Sequence, residues 1–408
     1  MRITIVGAGP VGLLTACLLA QERQSLSRVA SHTQERQSLP GVDSHTQKHR
    51  ITIIDKRVQH SRNHLLSISD DTIQAICQSL LNSDNEIIIE LIDLLRSWSN
   101  QPVSTSVIQE SLLQIAIRLG VEINLGTSVE SLDDIRDSIV IGADGARSKI
   151  RQLAFNDELV DQHTISYMAQ LKFTTPGRTK PRPLLTTMSH SFLNGITGDD
   201  IVMTFESMSR PNDELRKSGT LHIPIPKSVY DILSANGRGN FTTAWTPEEL
   251  SRIQDSQVAK LLRVIKRYRF GVTWRDGWIE NPKITVIPLN IYRSARTFTV
   301  KGDKLVLLVG DAASGLVYER GLNKGWLEVV KLSTTLSNIS PETIYHNLVQ
   351  YSEDCTRLYE RERDLALQKG RKIQSINQST AVGSKLASVG LGTVLSGMLI
   401  KSGLSLLR

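Results

Sequence analysis

The sequence predicts an α/β chain, α+β taken as a whole, in which a parallel-sheet domain is interrupted by a β-rich insertion and followed by helices. Three observations predict it. The chain opens on an apolar strand that runs into a glycine-rich turn and an apolar helix, MRITIVGAGPVGLLTA. Two later segments, SIVIG at 138–142 and KLVLLV at 304–309, have the unbroken hydrophobicity of strands buried on both faces. Between them, over roughly 160–300, the strand-like segments ISYMAQLKF, PLLTTMSHSF (183–192), IVMTFESM, TLHIPIP and YRFGVTW (268–274) are separated by Pro, Gly and Asn-rich turns, as in an antiparallel sheet.

In the opening turn Gly7, Gly9 and Gly12, with Pro10 and Val11 among them, fit the G-x-G-x-x-G fingerprint of a dinucleotide-binding strand–turn–helix. In that fingerprint one glycine permits the tight turn, one lets the backbone approach a pyrophosphate, and one allows close helix–strand packing. A carboxylate ending the second strand should accept a ribose hydroxyl, and RITIID ends on Asp55. The spacing is longer than usual because residues 21–33, QERQSLSRVASHT, are followed by a near-copy at 34–46, QERQSLPGVDSHT. A polar repeat without apolar periodicity cannot bury a face, so it reads as a surface insert between the first helix and the second strand.

Helical spacing recurs in IIIELIDLLRSW and in SVIQESLLQIAIRLG, the latter followed by the strand VEINL. After SIVIG comes Gly142-Ala-Asp144-Gly145-Ala-Arg147-Ser148, and after KLVLLV comes Gly310-Asp311-Ala-Ala. Residues 341–373 read as a charged helix ending near Arg371.

Together the three glycine-containing motifs resemble the class A FAD-dependent monooxygenases of para-hydroxybenzoate hydroxylase type. The resemblance spans residues 1 to about 330. It implies a Rossmann-like FAD-binding domain in which the first motif holds the adenosine half of FAD. Asp144, Gly145, Arg147 and Ser148 would border the pyrophosphate and help receive NADPH, and Gly310 with Asp311 would meet the ribityl chain. The stretch from Asp55 to His64, DKRVQHSRNH, is similar to the corresponding segment of MICAL-type monooxygenases. That likeness implies that Asp55 and Arg57, with Lys56 between them, hold the adenosine side, that Arg62, Asn63 and His64 run beside the flavin, and that Gln109 lies near the ribityl and ring. The third motif departs from the family: Ser314 replaces the usual His, the Pro is missing, and the path to Gly321, Leu322 and Asn323 is shorter.

The resemblance implies a hydroxylase that uses NAD(P)H and O2 through a flavin hydroperoxide, acting on an aromatic, polyprenyl or protein side-chain substrate. The flavin carries the difficult chemistry, so no catalytic residue is assigned. An FAD-dependent reductase or dehydrogenase on the same fold is one alternative. A flavin-binding interaction protein with reduced turnover is another, motivated by the altered third motif and by the surface repeat.

Boundaries are expected at 1–158 and 301–330 for the FAD-binding domain, 159–300 for the β-rich substrate domain, 331–373 for C-terminal helices and 374–408 for an apolar basic tail. At 408 residues the chain needs no disulfide or metal staple. Cys17, Cys77 and Cys355 are odd in number and far apart, which fits a reducing compartment, and none reads as a metal ligand. Met1 leads straight into a strand with no secretory pattern, so a cytoplasmic protein is expected. The net charge of +7 is interspersed and accompanied by no nucleic-acid-binding motif, so no nucleic-acid partner is expected. The run LASVGLGTVLSGMLI, between Lys385 and Lys401, has two readings: a peripheral membrane contact, or a helix docked on the chain's own apolar surface.

Overall fold

The computed structural model describes residues 2–21, 50–59, 65–81, 83–176, 205–209, 216–240, 242–265, 280–317, 320–337 and 342–386. The chain divides into two units, one of residues 1–163 and 291–366, the other of 164–290 and 367–408. The tandem repeat beyond Gln21, the segment Arg62–His64 and the apolar run near the C-terminus lie outside the described residues.

In the first unit, strand β1 (Arg2–Val6) is followed by helix α1 (residues 10–21) and strand β2 (Arg50–Asp55). A short pair, β3 (Leu65–Ser67) and β4 (Pro102–Ser104), brackets helices α2 (Asp70–Leu80) and α3 (Glu86–Ser97). Helix α4 (Thr105–Arg118), strands β5 (Glu122–Leu125) and β6 (Ile139–Gly142) and helix α5 (Lys149–Phe155) follow.

The chain leaves this unit through β7 (Leu159–Pro176) and returns through β10 (Glu280–Ser294). It then adds β11 (Phe298–Lys301), β12 (Lys304–Leu308), the two-residue β13 (Ser314–Gly315) and a helix over Arg320–Ser337, here αC. A last helix, αD, runs over Ile344–Leu386, past Arg371, because no proline interrupts 342–386 and Gly370 only weakens a helix without ending it.

Six strands form one sheet in the order β11-β12-β6-β1-β2-β5, parallel except for the β11–β12 pair. Alternation within these apolar strands feeds both faces. Ile3, Ile5, Ile139, Ile141 and Leu307 pack with Leu13 and Leu14 of α1, whereas Val6, Val140, Val306 and Leu308 pack with Ile150 and Ala154 of α5. Each such burial contributes about 1.5–3 kcal/mol. That double burial explains why these strands lack polar alternation.

The second unit contains β8 (Phe205–Ser209) and β9 (Arg216–Ile225), which form a sheet with β7 and β10 in the order β10-β7-β9-β8. Period-two alternation turns Ala169, Leu171 and Phe173 toward the same core as Leu221, Ile223 and Ile225. A helix over Lys227–Ser234 adds Val229 and Leu233 to it. Trp245 closes that core, donating its indole N–H to the Leu233 carbonyl at 2.8 Å beneath the Arg238 guanidinium, 3.6 Å from the ring. Segments 183–192 and 268–274, also expected as strands, lie outside the described residues.

Candidate functional site

Parallel register places the chemistry at one edge of the six-stranded sheet. Val6 pairs with Ile54 and with Gly142, and Gly142 pairs with Leu308. The loops after β1, β2, β6 and β12 therefore leave the sheet side by side at its carboxyl end. The connection out of β1 runs to β2 on one side, while β6 lies on the other, which is the topological switch point where open α/β sheets bind ligands. The loops are tied there by Gly7 N–H to Ile54 O at 2.7 Å, Ala143 N–H to Val6 O at 2.8 Å and Val309 N–H to Gly142 O at 3.0 Å.

The three glycines of the first loop answer to different neighbours. Gly7 has φ +114°, and a Cβ there would stand 2.4 Å from Ala143 O. At Gly12 a Cβ would stand 2.0 Å from Gly7 O. Both positions are therefore demanded by the chain's own packing. A Cβ on Gly9 would meet nothing within 4 Å, although Gly9 O accepts the first helical bond of α1, from Leu13 N–H at 2.9 Å. Gly9 thus marks open space at the N-terminus of a helix, where unpaired N–H groups and the helix dipole favour an anion.

Asp55 is 4% exposed. One of its oxygens accepts the Ala8 N–H at 2.8 Å, and the other accepts the Arg57 N–H at 2.8 Å. The Arg57 guanidinium reaches both oxygens at 3.2 Å. Burial pushes this carboxyl up, but the bonds from Arg57 and Ala8 outweigh it and hold the group below the usual aspartate range. Arg57 is half-buried and Lys56 exposed. Gln109, 5% exposed on α4, donates to Ala8 O at 3.3 Å, which brings it to the glycine loop.

In the second loop, Asp144 and Ser148 both terminate α5. One Asp144 oxygen accepts the N–H groups of Lys149 at 2.6 Å and Ile150 at 3.2 Å, and Ser148 Oγ accepts the Arg151 N–H at 2.9 Å. The other Asp144 oxygen, Oδ1, is buried with no hydrogen-bond partner among the described residues. Gly145, at φ +83°, turns the chain with open space at its Cβ position, and Arg147 is exposed.

The third loop meets the first through Val11. A Cβ on Gly310 would lie 3.0 Å from Val11 Cγ1, and one on Gly325 would lie 2.9 Å from Val11 Cγ2. Trp326 donates its indole N–H to Pro10 O at 3.3 Å. Asp311 is exposed, its carboxylate 3.1 Å from the position of a Gly321 Cβ in the first turn of αC. Leu322 is half-buried, and Asn323 fastens αC to the start of α2, accepting from Ser69 N–H at 2.8 Å and donating to Ser67 O at 3.0 Å.

Four side chains absent from the sequence-derived set hold this loop. Arg151, 2% exposed, donates to Ala312 O at 3.0 Å and Ala146 O at 2.9 Å, joining the second and third loops. Tyr292 donates to Asp311 O at 2.7 Å. Lys324 and Glu328 form a fully buried ion pair at 2.8 Å beneath Gly310. Their signal in the sequence is slight: two opposite charges four residues apart in the otherwise apolar GLNKGWLEVV.

Comparison with known proteins shows the fold. The chain resembles the Diels-Alderase PyrE3 of pyrroindomycin biosynthesis, with TM-score 0.54 at 14% identity over 94% of this chain and 77% of the other. It resembles 2-methyl-3-hydroxypyridine-5-carboxylic acid oxygenase, with TM-score 0.52 at 13% identity over 95% of each chain. It also resembles the flavin-dependent halogenase CmlS, with TM-score 0.52 at 12% identity over 88% of this chain and 62% of the other. No family model matches the chain, and no curated protein matches it in sequence. The chain thus shares the fold of these proteins, an oxygenase and a flavin-dependent halogenase among them.

Proposed function

We propose that the chain binds FAD along the carboxyl edge of its six-stranded sheet and acts as an NAD(P)H-using monooxygenase. The observation that carries the reading is the convergence of the Gly9, Asp144 and Asp311 loops, through strand register and through Val11, on one edge of one sheet.

The residues present fit an extended dinucleotide. Open backbone at Gly9 and the N-terminus of α1 take the pyrophosphate. Asp55 takes an adenosine ribose hydroxyl in exchange for the half-exposed Arg57 guanidinium, the one of its donors free to swing into solvent. Asp144 Oδ1 offers a buried acceptor to a hydroxyl, and exposed Asp311 beside the first turn of αC suits the ribityl chain. Bound FAD would supply hydride acceptance from NAD(P)H and activation of O2 for transfer to an organic substrate. The chain's own task is to hold the cofactor in register and to present the backbone of the third loop and of αC to it. Ser314, which replaces the usual His, is buried and hydrogen-bonded to Lys324, so the altered loop is a built structure. That favours an active enzyme over a flavin-binding interaction protein. An aromatic, polyprenyl or protein side-chain substrate is the class this chemistry serves.

The test is O2 uptake and NAD(P)H oxidation by the FAD-loaded protein across a panel of such compounds. A compound that accelerates both, with oxygen appearing in the product, supports the reading. Flavin reduction without oxygen transfer for any compound would assign the chain to the reductases instead.

A further inference from the structure

The loop Gly310–Ser314 is held twice, by groups with different jobs. From one side, main-chain carbonyls are fixed in sequence: Asp311 O by the Tyr292 hydroxyl, Ala312 O by Arg151 and Ala313 O by the Ser294 N–H at 2.7 Å. From beneath, Lys324 and Glu328, both 0% exposed, take the two ends of the loop. Glu328 gives one oxygen to the Gly310 N–H at 2.8 Å and the other to Lys324 Nζ at 2.8 Å. Lys324 has three N–H groups and three acceptors: Glu328, Ser314 Oγ at 2.6 Å and Gly310 O at 3.4 Å.

A buried ion pair is weak evidence for stability, because the cost of desolvating both charges offsets most of their attraction, and an apolar pair of similar volume packs as well. What the pair supplies is geometry. It fixes the span between Gly310 and Ser314, hence the presentation of Asp311 against the first turn of αC. Resting on the FAD reading above, we infer that Lys324 and Glu328 are positioning residues for the flavin, setting the loop that carries Asp311 and the N-terminus of αC. The folding of the domain does not depend on them. Ser314 is the third member of the device, since its hydroxyl accepts from Lys324 Nζ at 2.6 Å.

The experiment compares three full-length proteins: the parent, the neutral double variant Lys324→Met/Glu328→Gln and Ser314→Ala. The double variant leaves no unpaired charge, and its Gln keeps an acceptor for the Gly310 N–H. The first measurement is FAD uptake by the parent, which tests the FAD reading by itself; a parent that takes up no FAD overturns that reading and this proposal with it. With FAD bound to the parent, the proposal predicts that the double variant unfolds within a few degrees of the parent but binds FAD at least about tenfold more weakly. Its flavin visible spectrum and reduction potential should shift, and Ser314→Ala should move both in the same direction by less. A double variant that matches the parent in affinity, spectrum and potential overturns the proposal alone. One that fails to fold also overturns it, because the pair then belongs to the stability of the domain.

Discussion

Gly9 and Gly12 stand three residues apart in one turn and answer to different demands. Adding a methyl at Gly12 drives it into Gly7 O at 2.0 Å, a clash no side-chain motion relieves. Adding one at Gly9 meets only open space. Gly9→Ala should therefore leave the melting temperature of the cofactor-free protein within a degree or two of the parent while weakening FAD binding about tenfold or more, read by titration and thermal denaturation side by side. Equal affinity would detach Gly9 from the cofactor.

Asp55 supports a second test at the same scale. Its carboxyl is held below the ordinary aspartate value of about 3.9. The stabilisation it gives is therefore complete above that value and lost as pH falls through the lower folded value. Asp55→Asn replaces an oxygen with an N–H that faces the donors of Ala8 or Arg57. The stability gap between parent and variant should be constant from pH 5 to 7 and shrink below about pH 4. A gap that widens in acid would contradict the assignment.

At the scale of elements, α5 depends on its start. Ser148 is fully buried, caps the Arg151 N–H at 2.9 Å, and shares the task with Asp144. Ser148→Ala should cost about 1 kcal/mol in denaturant unfolding. Because Arg151 links this helix to the Ala312 carbonyl, the change should be felt at the third loop, as faster amide exchange over 310–313.

The strands and the first two loops were legible in the sequence because each carries its own pattern: double-buried apolar runs, glycines at fixed spacing, Asp55 at a strand end. The clamp around the third loop was not. Arg151, Tyr292, Lys324 and Glu328 come from three separate elements, and their meeting depends on tertiary placement that no local period encodes. Only the i, i+4 spacing of Lys324 and Glu328 could have been noticed, and on an exposed helix the same spacing marks an ordinary surface pair. Ser148 has a role that its motif did not announce: its hydroxyl caps the start of a helix.

For the molecule as a whole, the tandem repeat is a matter of chain length. It lies between α1 and β2, yet β1 and β2 pair in register from Arg2–Arg50 to Val6–Ile54. Deleting residues 34–46 roughly halves the connection, and closing a connection of half the length costs about 0.6 kcal/mol less. The deletion should therefore leave stability unchanged or raise it slightly, and leave FAD affinity intact. Among the described residues no helix is long and apolar enough to cross a membrane. The basic apolar run after Lys385 remains a proposal for a peripheral contact, tested by vesicle flotation of the full chain against a form ending at Gln378.

The central proposal is that FAD lies along the edge where the Gly9, Asp144 and Asp311 loops converge. The most direct measurement is titration of the purified full-length protein with FAD, followed by flavin absorbance and fluorescence, with FMN and riboflavin as controls. One FAD per chain is expected, with binding lost for FMN and riboflavin, which lack the adenosine half proposed to lie at Gly9 and Asp55. No uptake of FAD, or equal binding of all three flavins, would contradict it.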